Sequence, residues 1–429
     1  MSEWPAPVAS GPVDATITVP GSKSASNRAL ILAALAEGPS TLTGLLDARD
    51  TRLMAEGLRA LGVEIDVIAT SDAGNIDVEV QPHFLRGPAS IDVGLAGTVM
   101  RFLPPVAALA HGEISFDGDE HARRRPMATV VESLKELGVE VRDRNRGLLP
   151  FMVVGRGEVR GGEVTVDASK SSQFISGLLL SAPRFAAGLT IHHVGDPVPS
   201  MPHIDMTIAM LQEHGVHVFR AGPNVWHVDP HGITPVDRVI EPDLSNSAPF
   251  LAAAMVAGGN VTVRDWPHTT TQPGDALREL LHRMGAQVSL GPAGLTVTGG
   301  SSIRGIDVDL REVGELAPSL AALATLADSP STFTGIAHLR GHETDRLAAL
   351  VTEITRLGGR AHELSDGIAI EPAPLHGAHI ETYGDHRMAT FGAIIGLSVP
   401  GITIENIDTT AKTLPNFADL WTSLVTGAA

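Results

Sequence analysis

Six short segments of this chain gather the residue types that bind phosphates and carboxylates: GSKSASNR (21–28), LAGTVMR (95–101), SKSSQ (169–173), PDLSNSA (242–248), VGELA (313–317) and YGDHR (383–387). Each stands just before an apolar run that reads as a helix. A helix N-terminus offers free N–H groups and about half a positive charge, which suits an anion. Gly and Ser let a ligand approach the backbone. Lys23, Arg28, Arg101 and Arg387 add full charges. Further charge lies in RDTR (49–52), EHARRRP (120–126), PSMPHID (199–205), RGHETDR (340–346) and TAKTLP (410–415). Singly, each segment reads as an ordinary helix cap: SKSSQ as a capping box, HETDR as a start braced by a Glu343–Arg346 pair. Their shared position in a repeat makes convergence possible. HETDR lacks the second His of a metalloprotease helix, and DHR (385–387) has no further ligand at helical spacing, so no metal is expected.

The elements that must position these residues recur. One segment is an amphipathic helix, then Gly, then a short strand: LRALGVEIDV (58–67), LKELGVEVRD (134–143), LQEHGVHVFR (211–220), LHRMGAQVSL (281–290) and ITRLGGRAHE (354–363). Its glycines, Gly62, Gly138, Gly215, Gly285 and Gly358, are spaced by 76, 77, 70 and 73 residues. They are expected to be left-handed helix stops. FADLWTSLV (417–425) supplies a sixth helix. A second segment keeps the period, an apolar Ala/Leu-rich helix followed by a Thr/Val/Ile strand, as in RALILAALA (28–36) before STLTGL (40–45). These helices are apolar nearly all round and should be buried, with the amphipathic set outside. The pattern predicts six α/β units, arranged as one ring or as two groups of three. VDRVIEPDL (236–244) lies midway and PGSKS (20–24) follows the first strand, which predicts a two-pass hinge there.

Of 429 residues, 43% are hydrophobic, enough for two or three domains with sizeable cores. Net charge is −18, so nucleic acid and acidic membrane surfaces should be repelled and an anion site must be a local exception. There are four Lys (Lys23, Lys135, Lys170 and Lys412) among 31 basic residues, and all but Lys135 fall in the anion-suited segments named first. Cysteine is absent, which removes disulfides, thiolate metal sites and a cysteine acid. The opening segment has no basic, then apolar, leader pattern, so a cytoplasmic location is expected.

Taken in order, PGSKSxSNRAL, AGTxMR, SSQF, ETDR, DHRMA and AKT resemble the 5-enolpyruvylshikimate-3-phosphate synthase family of enolpyruvyl transferases, over essentially the whole chain. The resemblance implies a two-domain inside-out α/β barrel. Each domain would hold three βαβαββ repeats with buried parallel helices and outer mixed sheets, over 22–239 and over 1–20 plus 241–429. The hinge would lie near 20–22 and 239–242, and the active site in a cleft that closes on substrate. It implies transfer of the enolpyruvyl group of phosphoenolpyruvate to the 5-hydroxyl of shikimate 3-phosphate, with no cofactor, by a monomer.

By motif match, the shikimate carboxylate should meet Ser24 and Arg28, and its phosphate Ser171, Ser172 and Ser200, with Gln173 between the ligands. The phosphate of phosphoenolpyruvate should meet Lys23, Gly97, Arg125 and Lys412, and its carboxylate Arg346 and Arg387. Glu315 would be the general base and Glu343 the proton donor to the methylene carbon. Lys23 and His342 complete the catalytic set, and His342 also joins the substrate contacts. The fourth helix start, PDLSNSA, matches no ligand residue. Leu95, Glu315, His203, His338 and His342 depart from the common pattern of Asn, Asp, Tyr, Asn and Lys. Glu343 and Asp345 should favour a charged His342, so activity is expected to fall steeply at high pH. Gly97 is kept, so glyphosate should enter the pocket. The sister transferase acting on UDP-N-acetylglucosamine commonly uses a Cys acid, absent here. A non-catalytic anion-binding relative would be marked by loss of Lys23, Glu315, Glu343 or Lys412, and all four are present.

Overall fold

The structure, a computed structural model, describes residues 3–71 and 73–427. Two compact units divide the chain, residues 21–240 and residues 1–20 with 241–429. Each contains three of the repeats.

The apolar segments form helices α1 (Lys23–Leu35), α3 (Gly97–Ala108), α5 (Gln173–Ser181), α7 (Ala248–Ala257), α9 (Ala317–Thr325) and α11 (His386–Gly396). Between them run the amphipathic helices α2 (Arg49–Ala60), α4 (Ala128–Glu136), α6 (Pro202–Glu213), α8 (Leu277–Arg283), α10 (Arg346–Arg356) and α12 (Phe417–Thr426). In the 21–240 unit α1, α3 and α5 pack on one another, and in the other unit α7, α9 and α11 do so. Their side chains, such as Leu30, Phe102 and Leu179 in one and Phe250, Leu320 and Phe391 in the other, are fully buried. Each of these side chains contributes about 1.5–3 kcal/mol by leaving water, which fixes these helices inside. Gly177 lets α5 approach α3 closely, since a Cβ there would lie 2.4 Å from the Arg101 carbonyl oxygen.

Five of the six sheets found among the described residues have four strands. In the second repeat, strand 89–92 pairs in parallel with 111–117 across α3, and antiparallel strands 151–156 and 140–142 follow. The third and fifth repeats match this order. The first and fourth exchange their leading strands. Residues 238–239 pair in parallel with 42–43, and residues 13–17 pair in parallel with 259–263. The sixth repeat takes 3–5 as its antiparallel edge against 403–405. The five stop glycines all have positive φ, from 79° at Gly215 to 108° at Gly285, as a helix end turning left-handed requires.

Candidate active site

In the 21–240 unit the starts of α1, α3 and α5 carry the polar groups. Ser22 caps α1 by accepting from the Ala25 N–H at 3.4 Å. The Lys23 ammonium donates to the buried Asp50 carboxylate at 3.4 Å. Asn27 donates to the Thr98 hydroxyl at 2.6 Å and ties α1 to α3.

Arg28 is 1% exposed. It donates to the Ser24 carbonyl (2.9 Å), the Thr207 hydroxyl (2.8 Å), the Ser176 hydroxyl (3.3 Å) and the His203 carbonyl (2.9 Å), with Phe102 5.1 Å beneath its guanidinium. Burial lowers its pKa to about 9. Arg101, 4% exposed, is lowered further by burial and then by Arg125. No carboxylate pairs with Arg28 or Arg101 among the described residues.

Gly97 opens α3, and a Cβ there would meet Gln173 Oε1 at 3.0 Å and the guanidinium nitrogens of Arg101 and Arg125 at 3.4 Å. Gly97, Gln173 and Arg125 are therefore neighbours. Ser171 accepts from the Gln173 N–H at 3.2 Å, and Ser172 precedes α5. Ser200 holds a left-handed φ of 53° just before α6.

The other unit gathers acids and bases at the starts of α9, α10 and α11. Asp385 caps α11 by accepting from the Arg387 N–H at 2.9 Å, and its carboxylate also takes Arg346 Nε at 2.7 Å and Nη2 at 3.1 Å. Arg346 Nη2 donates to Glu343 at 2.6 Å, and Lys412 holds the other Glu343 oxygen. Burial alone would pull Arg346 down; Asp385 and Glu343 hold it above its ordinary value. Arg387 is lowered, by burial and then by Arg346. The Ser245 hydroxyl donates to Glu315 at 3.4 Å, and the Ser245 carbonyl accepts from Arg387 at 3.3 Å.

Three arrangements differ from expectation. The fourth helix start, empty of basic residues, places Ser245 on both Glu315 and Arg387. It contributes through a hydroxyl and a carbonyl, which charge cannot reveal. His342 Nδ1 lies 3.2 Å from Arg346 Nη1. A guanidinium only donates, so that ring nitrogen accepts and carries no proton while the bond holds. Asp345, the second acid expected to charge His342, instead caps α10 and pairs with Arg340.

Glu343, Asp385 and His386 lie close enough to hold an ion. Arg346 and Lys412 already occupy these carboxylates, so the cluster is a cation–carboxylate network. Sequence reasoning missed Asp385 as the Arg346 partner and Asp50 as the Lys23 partner. Both sit inside motifs that were singled out.

A model of EPSP synthase (3-phosphoshikimate 1-carboxyvinyltransferase) matches residues 8–421. A 3-phosphoshikimate 1-carboxyvinyltransferase of Kocuria rhizophila is 52% identical over 428 residues, 98% of this chain and 96% of that one. Among solved structures, an EPSP synthase of Acinetobacter baumannii superposes with a TM-score of 0.81 at 25% identity over 98% of each chain. A second structure from that organism, at 24% identity and a TM-score of 0.79, has the same fold.

Proposed function

Because this chain belongs to the EPSP synthase family, the 3-phosphoshikimate 1-carboxyvinyltransferases, we propose that its two polar clusters bind the carboxylates and phosphates of phosphoenolpyruvate and shikimate 3-phosphate. The reaction moves the enolpyruvyl group of phosphoenolpyruvate to the 5-hydroxyl of shikimate 3-phosphate and releases phosphate, on the route to aromatic amino acids. What supports the assignment most is Arg28, a buried cation with no acidic partner among the described residues. Burying an uncompensated charge costs several kcal/mol, and a bound anion offsets that cost.

Ser24 and Arg28 take the shikimate carboxylate. Arg28 uses four of its donor contacts on the protein, so it offers one remaining N–H and its field. Ser171, Ser172 and Ser200 take the phosphate of shikimate 3-phosphate, with Gln173 alongside. Lys23, the Gly97 N–H, Arg125 and Lys412 take the phosphate of phosphoenolpyruvate. Arg346 and Arg387 take its carboxylate, with His342 beside Arg346.

Glu343 delivers a proton to the methylene carbon, which makes C2 electrophilic. The 5-oxygen adds to C2 as its proton passes to Glu315. The tetrahedral adduct then expels phosphate, which takes up the Glu315 proton, and returns a methyl proton to Glu343, restoring the methylene. Glu343 starts in the grip of Lys412 and Arg346. An arriving phosphate competes for Lys412 and a carboxylate for Arg346, and both shifts ease protonation of Glu343.

Phosphate release from phosphoenolpyruvate should require shikimate 3-phosphate and not occur with UDP-N-acetylglucosamine. Lys23→Met and Glu343→Ala should fold and be nearly inactive; near-full rates in either would remove these roles. Monomeric state and a cytoplasmic location belong to the same proposal, and no helix among the described residues is long and apolar enough to cross a membrane. A sedimentation mass near twice 44.8 kDa would remove the first.

A further inference from the structure

Behind Arg346 and Arg387 lies a second set of contacts that no substrate role requires. Glu353 sits seven residues after Arg346 on α10, which puts the two on one helix face. Its side chain is 0% exposed. It accepts from the Tyr383 hydroxyl at 2.7 Å and from the Glu381 N–H at 3.3 Å, and Arg356 lies 3.5 Å away. Arg356 also pairs with Glu381 at 2.9 Å.

Tyr383 is the one tyrosine of the chain. Its φ is +56°, and Gly384 follows at +68°. A left-handed bulky residue costs about 1–2 kcal/mol and persists only where its surroundings hold it. The segment then turns, with the Asp385 N–H on the Thr382 carbonyl at 2.8 Å, and delivers Asp385 to Arg346 and Arg387 to the start of α11. Helix α10 thus grips residues 381–385 at both ends, through Glu353 at one and Arg346 at the other.

We propose that Glu353 and Tyr383 are positioning residues that hold the left-handed turn at 383–384, and so set the spacing of Arg346 and Arg387 that fits a planar carboxylate. The proposal rests on the reading above that these two arginines bind the carboxylate of phosphoenolpyruvate. Two forked donors discriminate by geometry, so a turn that relaxes loosens that substrate first. Shikimate 3-phosphate, assigned mainly to other residues, is affected less.

Tyr383→Phe tests this with least disturbance, because it removes one oxygen. KM for phosphoenolpyruvate should rise about tenfold, the scale of one lost hydrogen bond to a charged group. The KM for shikimate 3-phosphate and kcat should stay within about twofold. Glu353→Gln keeps an acceptor for the hydroxyl and should remain near the parent.

The lone tyrosine supplies a direct optical check. Burial and then the Glu353 hydrogen bond raise its ionisation above the usual range. The ultraviolet titration of the parent should therefore show a high midpoint that Glu353→Gln lowers. A midpoint unmoved by Glu353→Gln, or a KM for phosphoenolpyruvate unmoved by Tyr383→Phe, would overturn the proposal. So would equal losses in both KM values and kcat, which would mark a merely structural role. Arg387→Lys separates this failure from failure of the premise. If it raises KM for phosphoenolpyruvate while Tyr383→Phe does not, only the positioning role falls. If it too leaves that KM unchanged, the carboxylate assignment falls and this proposal with it.

Discussion

Replacing Arg28 with methionine should separate a cation kept for binding from one kept for folding. Burial lowers Arg28 from its ordinary value to about 9. At about 1.4 kcal/mol per tenfold change in proton affinity, keeping that charge inside at neutral pH costs about 5 kcal/mol. Against this stand its bonds to Ser24, Ser176, His203 and Thr207, at about 1.5 kcal/mol each net, the low end for a charged donor. The Thr207 and Ser176 hydroxyls keep the His203 carbonyl as a partner, which limits the damage of unpairing. The two terms nearly cancel, so urea unfolding of Arg28→Met should give a stability within about 2 kcal/mol of the parent. The sign with pH follows. The folded value lies below the unfolded one, so in the window that opens at about pH 9 the folded chain loses a proton that the unfolded chain keeps. Stability of the parent gains a rising contribution across that window, and the variant lacks it. Binding should change far more. Shikimate 3-phosphate at 100 times its Kd stabilises the parent by about 2.7 kcal/mol, and the same concentration should add less than about 1 kcal/mol to the variant. A variant that lost more than about 3 kcal/mol, as when a structural ion pair is broken, yet kept the ligand-induced gain would refute the reasoning.

Gly97→Ala puts a methyl group 3.0 Å from Gln173 Oε1 and 3.4 Å from Arg101 and Arg125 nitrogens. All three are side-chain ends, so the fold should survive while KM for phosphoenolpyruvate rises by about tenfold, equivalent to about 1.4 kcal/mol of overpacking. Glyphosate inhibition should weaken with it, and an unchanged KM would remove Gly97 from the phosphate site. His338 is lowered from 6.5 to about 4, chiefly by burial. Between those values the unfolded chain binds a proton that the folded chain does not, so stability falls as pH drops through that window. The contribution reaches about 3 kcal/mol, and His338→Asn should lose that much less between pH 6.5 and 4 in urea titrations. Parallel curves for parent and variant would count against a buried neutral His338.

Half of the architecture was legible because its signals are local. A glycine ending a helix must turn left-handed, so Gly62, Gly138, Gly215, Gly285 and Gly358 display the period directly. Helices apolar on all sides have only one place to go. The exchanged strands had no such signal. Residues 238–239 form a two-residue strand, too short for alternation, and the partners of 13–17 lie more than two hundred residues away.

The site divides in the same way. Lys23, Arg28, Arg346, Arg387 and Lys412 announce themselves as charges in an acidic chain. Their partners do not, because pairing is decided by packing. Lys412 rests on Glu343, sixty-nine residues distant, and Ser245 reaches Glu315 across seventy. Glu353 shows where a further signal was available. An acid on the buried face of an otherwise amphipathic helix, two turns from Arg346, violates the rule that such a face is apolar. A carboxylate that a fold tolerates at zero exposure must have partners nearby. That periodic misfit can be read before any coordinates, and the partners it demands turn out to include the turn that carries Asp385 and Arg387.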